Sequence, residues 1–114
     1  MIPADPVFAS KVTIANGATA SSAAISQGYG LVGIATPAAL TSTTTGLELS
    51  FDQGATWLPV KDQDGNAIAI ALGTSRYVAL SLAGMPGLPG QIRLAAGSAE
   101  GGDRTLTLFF RQLH

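Results

Sequence analysis

Leu47-Glu48-Leu49-Ser50-Phe51-Asp52-Gln53-Gly54-Ala55-Thr56-Trp57 is the stretch whose reading decides the fold. Leu47, Leu49 and Phe51 alternate with Glu48 and Ser50, which is the period of a strand that buries one face. The polar residues that follow hold a glycine where a hairpin has to turn. A return strand over Trp57–Lys61 then completes an antiparallel pair.

The same period of two recurs on both sides of this hairpin. Before it come Val12 and Ile14, then Val32 and Ile34. After it come Ile68, Ile70 and Leu72; Val78, Leu80 and Leu82; Ile92 and Leu94; and Leu106, Leu108 and Phe110. Turn signals separate the runs: Asn16-Gly17, Gly28, Gln53-Gly54, Asp64-Gly65, Gly73 and the glycine-rich segments 84–90 and 97–102. About eight short strands at intervals of roughly 8–12 residues predict an all-β antiparallel sandwich, jelly-roll-like, occupying residues 11–114 as one domain. Residues 1–10 carry Pro3 and Pro6, and their apolar side chains Ile2, Val7 and Phe8 follow no strand period. They read as an extended arm that reaches about 33 Å. Met85 and Leu88 are displayed on the Pro/Gly loop 84–90. These five apolar residues are the expected assembly contacts, since exposed together they make the kind of patch that marks an interface; the equal alternative is that the arm or the loop lies as a local lid on the domain's own core.

Composition narrows the function. Charged residues are 11% of the 114, against roughly 25% in an ordinary soluble domain. The deficit suits a surface that ends against another protein, or equally an Ala-rich domain facing water. A net charge of −1 offers no field for phosphates and argues against nucleic acid. No apolar run is long enough for a membrane helix, and the N-terminal residues do not read as a secretory signal. With no cysteine, thiol catalysis and cysteine-ligated metals are excluded.

Ser50, Asp52, Gly54, Thr56 and Trp57 match each defined position of the Asp-box pattern S-x-D-x-G-x-T-W known from sialidases and other β-proteins. Asp52 accepts hydrogen bonds from turn amides, Gly54 takes φ > 0, Thr56 opens the return strand and Trp57 covers the hairpin. The pattern resembles a structural brace remote from any active site, and one box in 114 residues cannot form the propeller of a sialidase. Asp62-Gln63-Asp64-Gly65-Asn66 is similar to a calcium loop, but the twelfth position from Asp62 is Gly73, not glutamate. Asp64-Gly65 therefore reads as a hairpin turn. The only imidazole, His114, is the last residue, so a serine–histidine–aspartate arrangement is implausible. The carboxylates, Glu48, Asp52, Asp62 and Glu100 among them, fall in turns or on solvated faces, and no cofactor fingerprint is present. Phe51 and Phe110 fall on buried phases. Tyr29, Tyr77 and Phe109 are left as outward aromatics, few for a sugar-stacking row. The expectation is a protein that is no enzyme, with no cofactor and no metal.

Taken in order, the turn Thr13-Ile14-Ala15-Asn16-Gly17, the stretch Gly30-Leu31-Val32-Gly33-Ile34-Ala35-Thr36-Pro37, the hairpin Leu49–Trp57 leading to Asp62-Gln63-Asp64-Gly65, and the closing strand Asp103-Arg104-Thr105-Leu106-Thr107-Leu108 resemble a family of small virion proteins of tailed bacteriophages. The resemblance spans roughly residues 11–113. It implies a capsid cement or decoration protein, a head fibre or a tail part, made in the host cytoplasm and located on the virion. The implied partners are the major capsid protein or another virion protein, and further copies of the chain, as a trimer or else a dimer. The alternative is a receptor- or glycan-binding module of a tail or head fibre.

Overall fold

The computed structural model describes residues 7–26, 29–80 and 89–111. They form nine strands: β1 (Val7–Ile14), β2 (Ala24–Ile25), β3 (Gly30–Ala35), β4 (Thr44–Ser50), β5 (Leu58–Pro59), β6 (Ile70–Ala71), β7 (Tyr77–Ala79), β8 (Gln91–Ala96) and β9 (Arg104–Arg111). One sheet has the order β1-β9-β3-β7, and the other β2-β8-β4-β5 with β6 also on β4. Four of these pairings nest: β1 with β9, β2 with β8, β3 with β7, β4 with β5. The chain is thus one long antiparallel ribbon doubled back at the β4–β5 hairpin. Rolling that ribbon brings β3 onto the second edge of β9 and β4 onto the second edge of β8. The result is a jelly roll, and the hairpin quoted first is its tip.

Alternation supplies the core directly. Val12, Ile14, Leu31, Ile34, Leu106, Leu108 and Phe110 from one sheet face Leu47, Ile92 and Leu94 from the other, all essentially buried. The register is continuous along β1 and β9, from Val7 opposite Arg111 to Ile14 opposite Arg104. It shifts once between β3 and β9, at Leu31/Gly33. That irregularity puts Gly33 on the outer face, where the Tyr77 ring occupies the space a side chain would need. Tyr77 meets Phe109 edge-on there, with ring centroids 5.4 Å apart.

Several sequence expectations change. The β2 strand is unforeseen because two residues are too short to show a period. Trp57–Lys61 shrinks to Leu58–Pro59, the run from Ile68 to Leu72 to Ile70–Ala71, and that from Val78 to Tyr77–Ala79; Leu82 lies outside the described residues. Val7–Ser10, read as the end of an arm, are the first half of β1, fully registered with β9. Phe8 accordingly packs on its own core, stacked on Phe110 and edge-on to Tyr29, each at 5.0 Å. Phe51, expected inside, is 70% exposed, because β4 ends at Ser50 and the chain leaves the sheet before the next inward position.

Candidate functional site

Strand directions give the sandwich two unlike ends. β1 and β3 begin, and β9 and β2 finish, at the end where β8 starts and β4 stops. Ser50 pairs with Gln91, which pairs with Ile25, in the last row of the second sheet at this end. Ile25 is 55% exposed, and Phe51 follows Ser50 directly. Leu58, 46% exposed, pairs with Leu49 one row in. Three of the four exposed large hydrophobic residues among the described residues therefore gather here. Residues 1–6, 27–28, 81–88 and 112–114 lie outside the described residues. Ile2, Met85 and Leu88, expected as assembly contacts, belong to them and lie outside the described residues.

The turn Ser50–Trp57 braces this end. The Ser50 hydroxyl donates to Asp52 Oδ1 at 2.7 Å and accepts the Gly54 amide at 2.8 Å, and the Thr56 amide donates to Asp52 Oδ1 at 2.9 Å. Gln53 and Gly54 both have positive φ, 59° and 90°. The Ser50 hydroxyl, and next the Thr56 amide, hold the Asp52 carboxyl below its ordinary value. Ser50 is fully buried beneath its own turn.

Trp57 is half-buried, not sealed in. The Arg93 guanidinium carbon sits 4.3 Å from its ring centroid, and Arg93 Nε donates to Glu48 Oε1 at 2.6 Å. Glu48 and Arg93 face each other across β4 and β8, so tryptophan, arginine and glutamate form a layer on the outer face of the second sheet. Removing the ring exposes part of β8 and frees one guanidinium face, with no closed cavity left behind. Trp57→Ala is expected to cost about 1–2 kcal/mol, below the 3–5 kcal/mol typical of a buried aromatic. Urea denaturation checks this, and a loss above the core range would mean the ring seals the hairpin.

The opposite end is held by a residue that sequence reading placed among turn and surface carboxylates. Glu100 is 2% exposed. Its carboxylate accepts the Thr41 amide on Oε1 at 2.7 Å, the Ser42 amide on Oε2 at 2.9 Å and Arg104 Nε on Oε1 at 3.2 Å. Its own backbone accepts from the Gly17 amide and donates to the Ala18 carbonyl, at 2.7 and 3.1 Å. Asp103 Oδ1 takes the Asn16 amide beside it at 2.8 Å. One glutamate thus ties three loops together. Burial pushes its carboxyl up, but the hydrogen bonds from Thr41, Ser42 and Arg104 outweigh that and hold it at about 2. No local pattern around Ser98-Ala99-Glu100-Gly101-Gly102 announces this, since its partners are 58 and 59 residues away.

The carboxylates Glu48, Asp52 and Asp62 are separately engaged. Glu48 is paired with Arg93, Asp52 serves its own turn, and Asp62 Oδ1 accepts the Asp64 and Asn66 amides, each at 2.9 Å. The Asn66 amide chiefly holds Asp62 below its ordinary value, and Gly65 takes φ 84° in that hairpin. Among the outward aromatics, Tyr77 is 54% exposed, while Phe109 and Tyr29 are half-buried against neighbouring rings.

No protein-family model matches the sequence, and no curated protein does. A solved structure described as the SPBc2 prophage-derived protein YomS superimposes with a TM-score of 0.46 at 13% identity, over 96% of this chain and 98% of that one.

Proposed function

We propose that this chain is a non-enzymatic structural component of a tailed-bacteriophage virion, a cement or decoration protein seated on the capsid surface against the major capsid protein. The observation that carries this reading is the apolar end, where Ile25, Phe51 and Leu58 stand exposed beside a braced turn. A rigid sandwich presenting bare hydrophobic side chains at one end is suited to insertion between lattice subunits. Many copies in a shell give avidity from a modest single contact. The charge-poor composition and the ordered resemblance of the strand and turn signatures to small virion proteins point the same way. Catalysis has no part in this reading: Glu48, Asp52, Asp62 and Glu100 are each committed to a structural partner.

Ile25→Asp and Phe51→Asp test the reading without touching the core. Both side chains are mostly in solvent, so the change in stability should stay within about 0.5 kcal/mol. Retention on purified heads under heat or chaotrope should drop markedly. Unchanged retention of both variants, or density for the protein away from the head in cryo-electron microscopy, would overturn it. The second reading, a receptor- or glycan-binding module, is favoured by Tyr77, exposed edge-on to Phe109 on the other sheet. It requires that Tyr77→Ala, not the end variants, abolish attachment.

A further inference from the structure

We propose that a second copy of this chain docks antiparallel along the outer edge of β1, with a two-fold axis at Ala9, and joins two four-stranded sheets into one of eight strands. β1 has β9 on one side only. On its other side the Thr13 amide donates to Ser22 Oγ at 3.0 Å and its carbonyl accepts the Ser22 amide at 2.9 Å. Thr13 therefore points its backbone polar groups away from β9. Successive residues of an antiparallel strand alternate in this respect, so Lys11, Ala9 and Val7 point the same way as Thr13. Among the described residues nothing meets the amides and carbonyls of Ala9 and Lys11. Beyond the Ile14–Ser21 bridge, β1 and β2 diverge around a groove of about 510 Å³ lined by Phe8, Ala9, Ser10, Ala24, Ile25 and Tyr29. The unpaired backbone lies along this opening.

The occupant follows from register. A strand added to an edge needs its own row of unpaired groups, and this edge offers the same row to its copy. Centring the pair on Ala9 sets Val7 opposite Lys11 of the second copy, so the unpaired positions 7, 9 and 11 all find partners. Centring it on Ser10 would set Val7 against Thr13, whose groups Ser22 already holds. At the axis two exposed alanines meet, with no bulk or charge to separate them. Such an isologous contact closes on itself and ends growth, which protects an edge that would otherwise recruit any strand.

The chain has no cysteine, so Ala9→Cys reports the contact alone. Residues facing each other in a hydrogen-bonded antiparallel pair have Cα atoms about 5.5 Å apart, within disulfide range. Mild oxidation should yield a covalent dimer from Ala9→Cys and none from Ala67→Cys, which is exposed in the distant hairpin. Mass in solution should be that of a dimer. Ala9→Pro and Lys11→Pro each remove one edge amide without touching a β9 hydrogen bond. Each should weaken dimerisation about tenfold or more with the circular dichroism spectrum unchanged. A monomeric or trimeric wild type, a dimer that Ala9→Cys does not cross-link, or a dimer indifferent to both Ala9→Pro and Lys11→Pro each overturns the proposal. The inference rests on the chain's own edge and not on the virion reading. A monomer that binds heads sinks this proposal alone, and a dimer that ignores heads sinks the other alone.

Discussion

Glu100→Gln is expected to destabilise the protein at pH 7 by about 3 kcal/mol. The amide keeps the shape of the side chain but has one acceptor oxygen where the carboxylate had two. Either the Thr41 or the Ser42 amide then loses its partner next to a new NH₂ group, and Arg104 loses its counter-charge. The acid dependence carries a second signature. Glu100 is held at about 2 against an ordinary 4.5, so the folded state favours the ionised form. Its contribution is complete above pH 4.5 and is lost as the pH falls from there toward 2. The full difference corresponds to roughly 3 kcal/mol. Asp52 and Asp62, also held low, act in the same direction but are solvent-exposed and should add little. The wild type should therefore weaken steeply between pH 4.5 and 2, and Glu100→Gln should show a much flatter profile, with the two converging at the acid end. Urea unfolding at pH 7 and pH 3 measures both effects. A variant as stable as wild type at pH 7, or one with the same acid slope, would show that the three loops hold without this carboxylate.

Gly90→Val is expected to cost about 3 kcal/mol or more, by combining two separate penalties. Gly90 has φ 74°, where a β-branched residue is strongly disfavoured. A Cβ there would also overlap the Ser50 carbonyl oxygen and lie 3.2 Å from the Phe51 Cα. Both neighbours are backbone, so no side chain can swing away. The position is further fixed because the Gly90 carbonyl accepts the Ser26 amide and the Ser26 hydroxyl, each at 3.0 Å. Gly65 gives the comparison: it too has positive φ, 84°, but nothing lies within 4 Å of a Cβ built on it. Gly65→Ala should therefore show the conformational penalty alone, about 1 kcal/mol. Denaturation midpoints of the two variants separate strain from clash. Equal losses would mean that the close approach of β8 to the end of β4 relaxes freely. Because Gly90 seats the start of β8 against Ser50, Gly90→Val should also disturb the apolar end before the core. Amide exchange would show this as early loss of protection at Gln91 and Ile92.

Local chemistry was enough to read the all-β class and most of the strands, because a period of two in Leu47, Leu106 or Ile92 depends only on neighbours along the chain. The same holds for the turns at Asp52–Gly54 and Asp62–Asn66, where every hydrogen bond spans four residues or fewer. Where pairing crosses the chain, the sequence was silent. Nothing near Val7 says that it lies opposite Arg111, so the first half of β1 passed for an arm. Nothing near Phe51 says that β4 leaves the sheet one residue earlier, so an exposed ring passed for a core one. Glu100 is the clearest case, since its burial and its low pKa come from amides 58 and 59 residues away. Alternation and turn chemistry are properties of short segments, and they fixed what the pieces are. Which strand edge stays open, which carboxylate is buried and which end is left apolar follow from rolling the ribbon. Only the tertiary structure decided those.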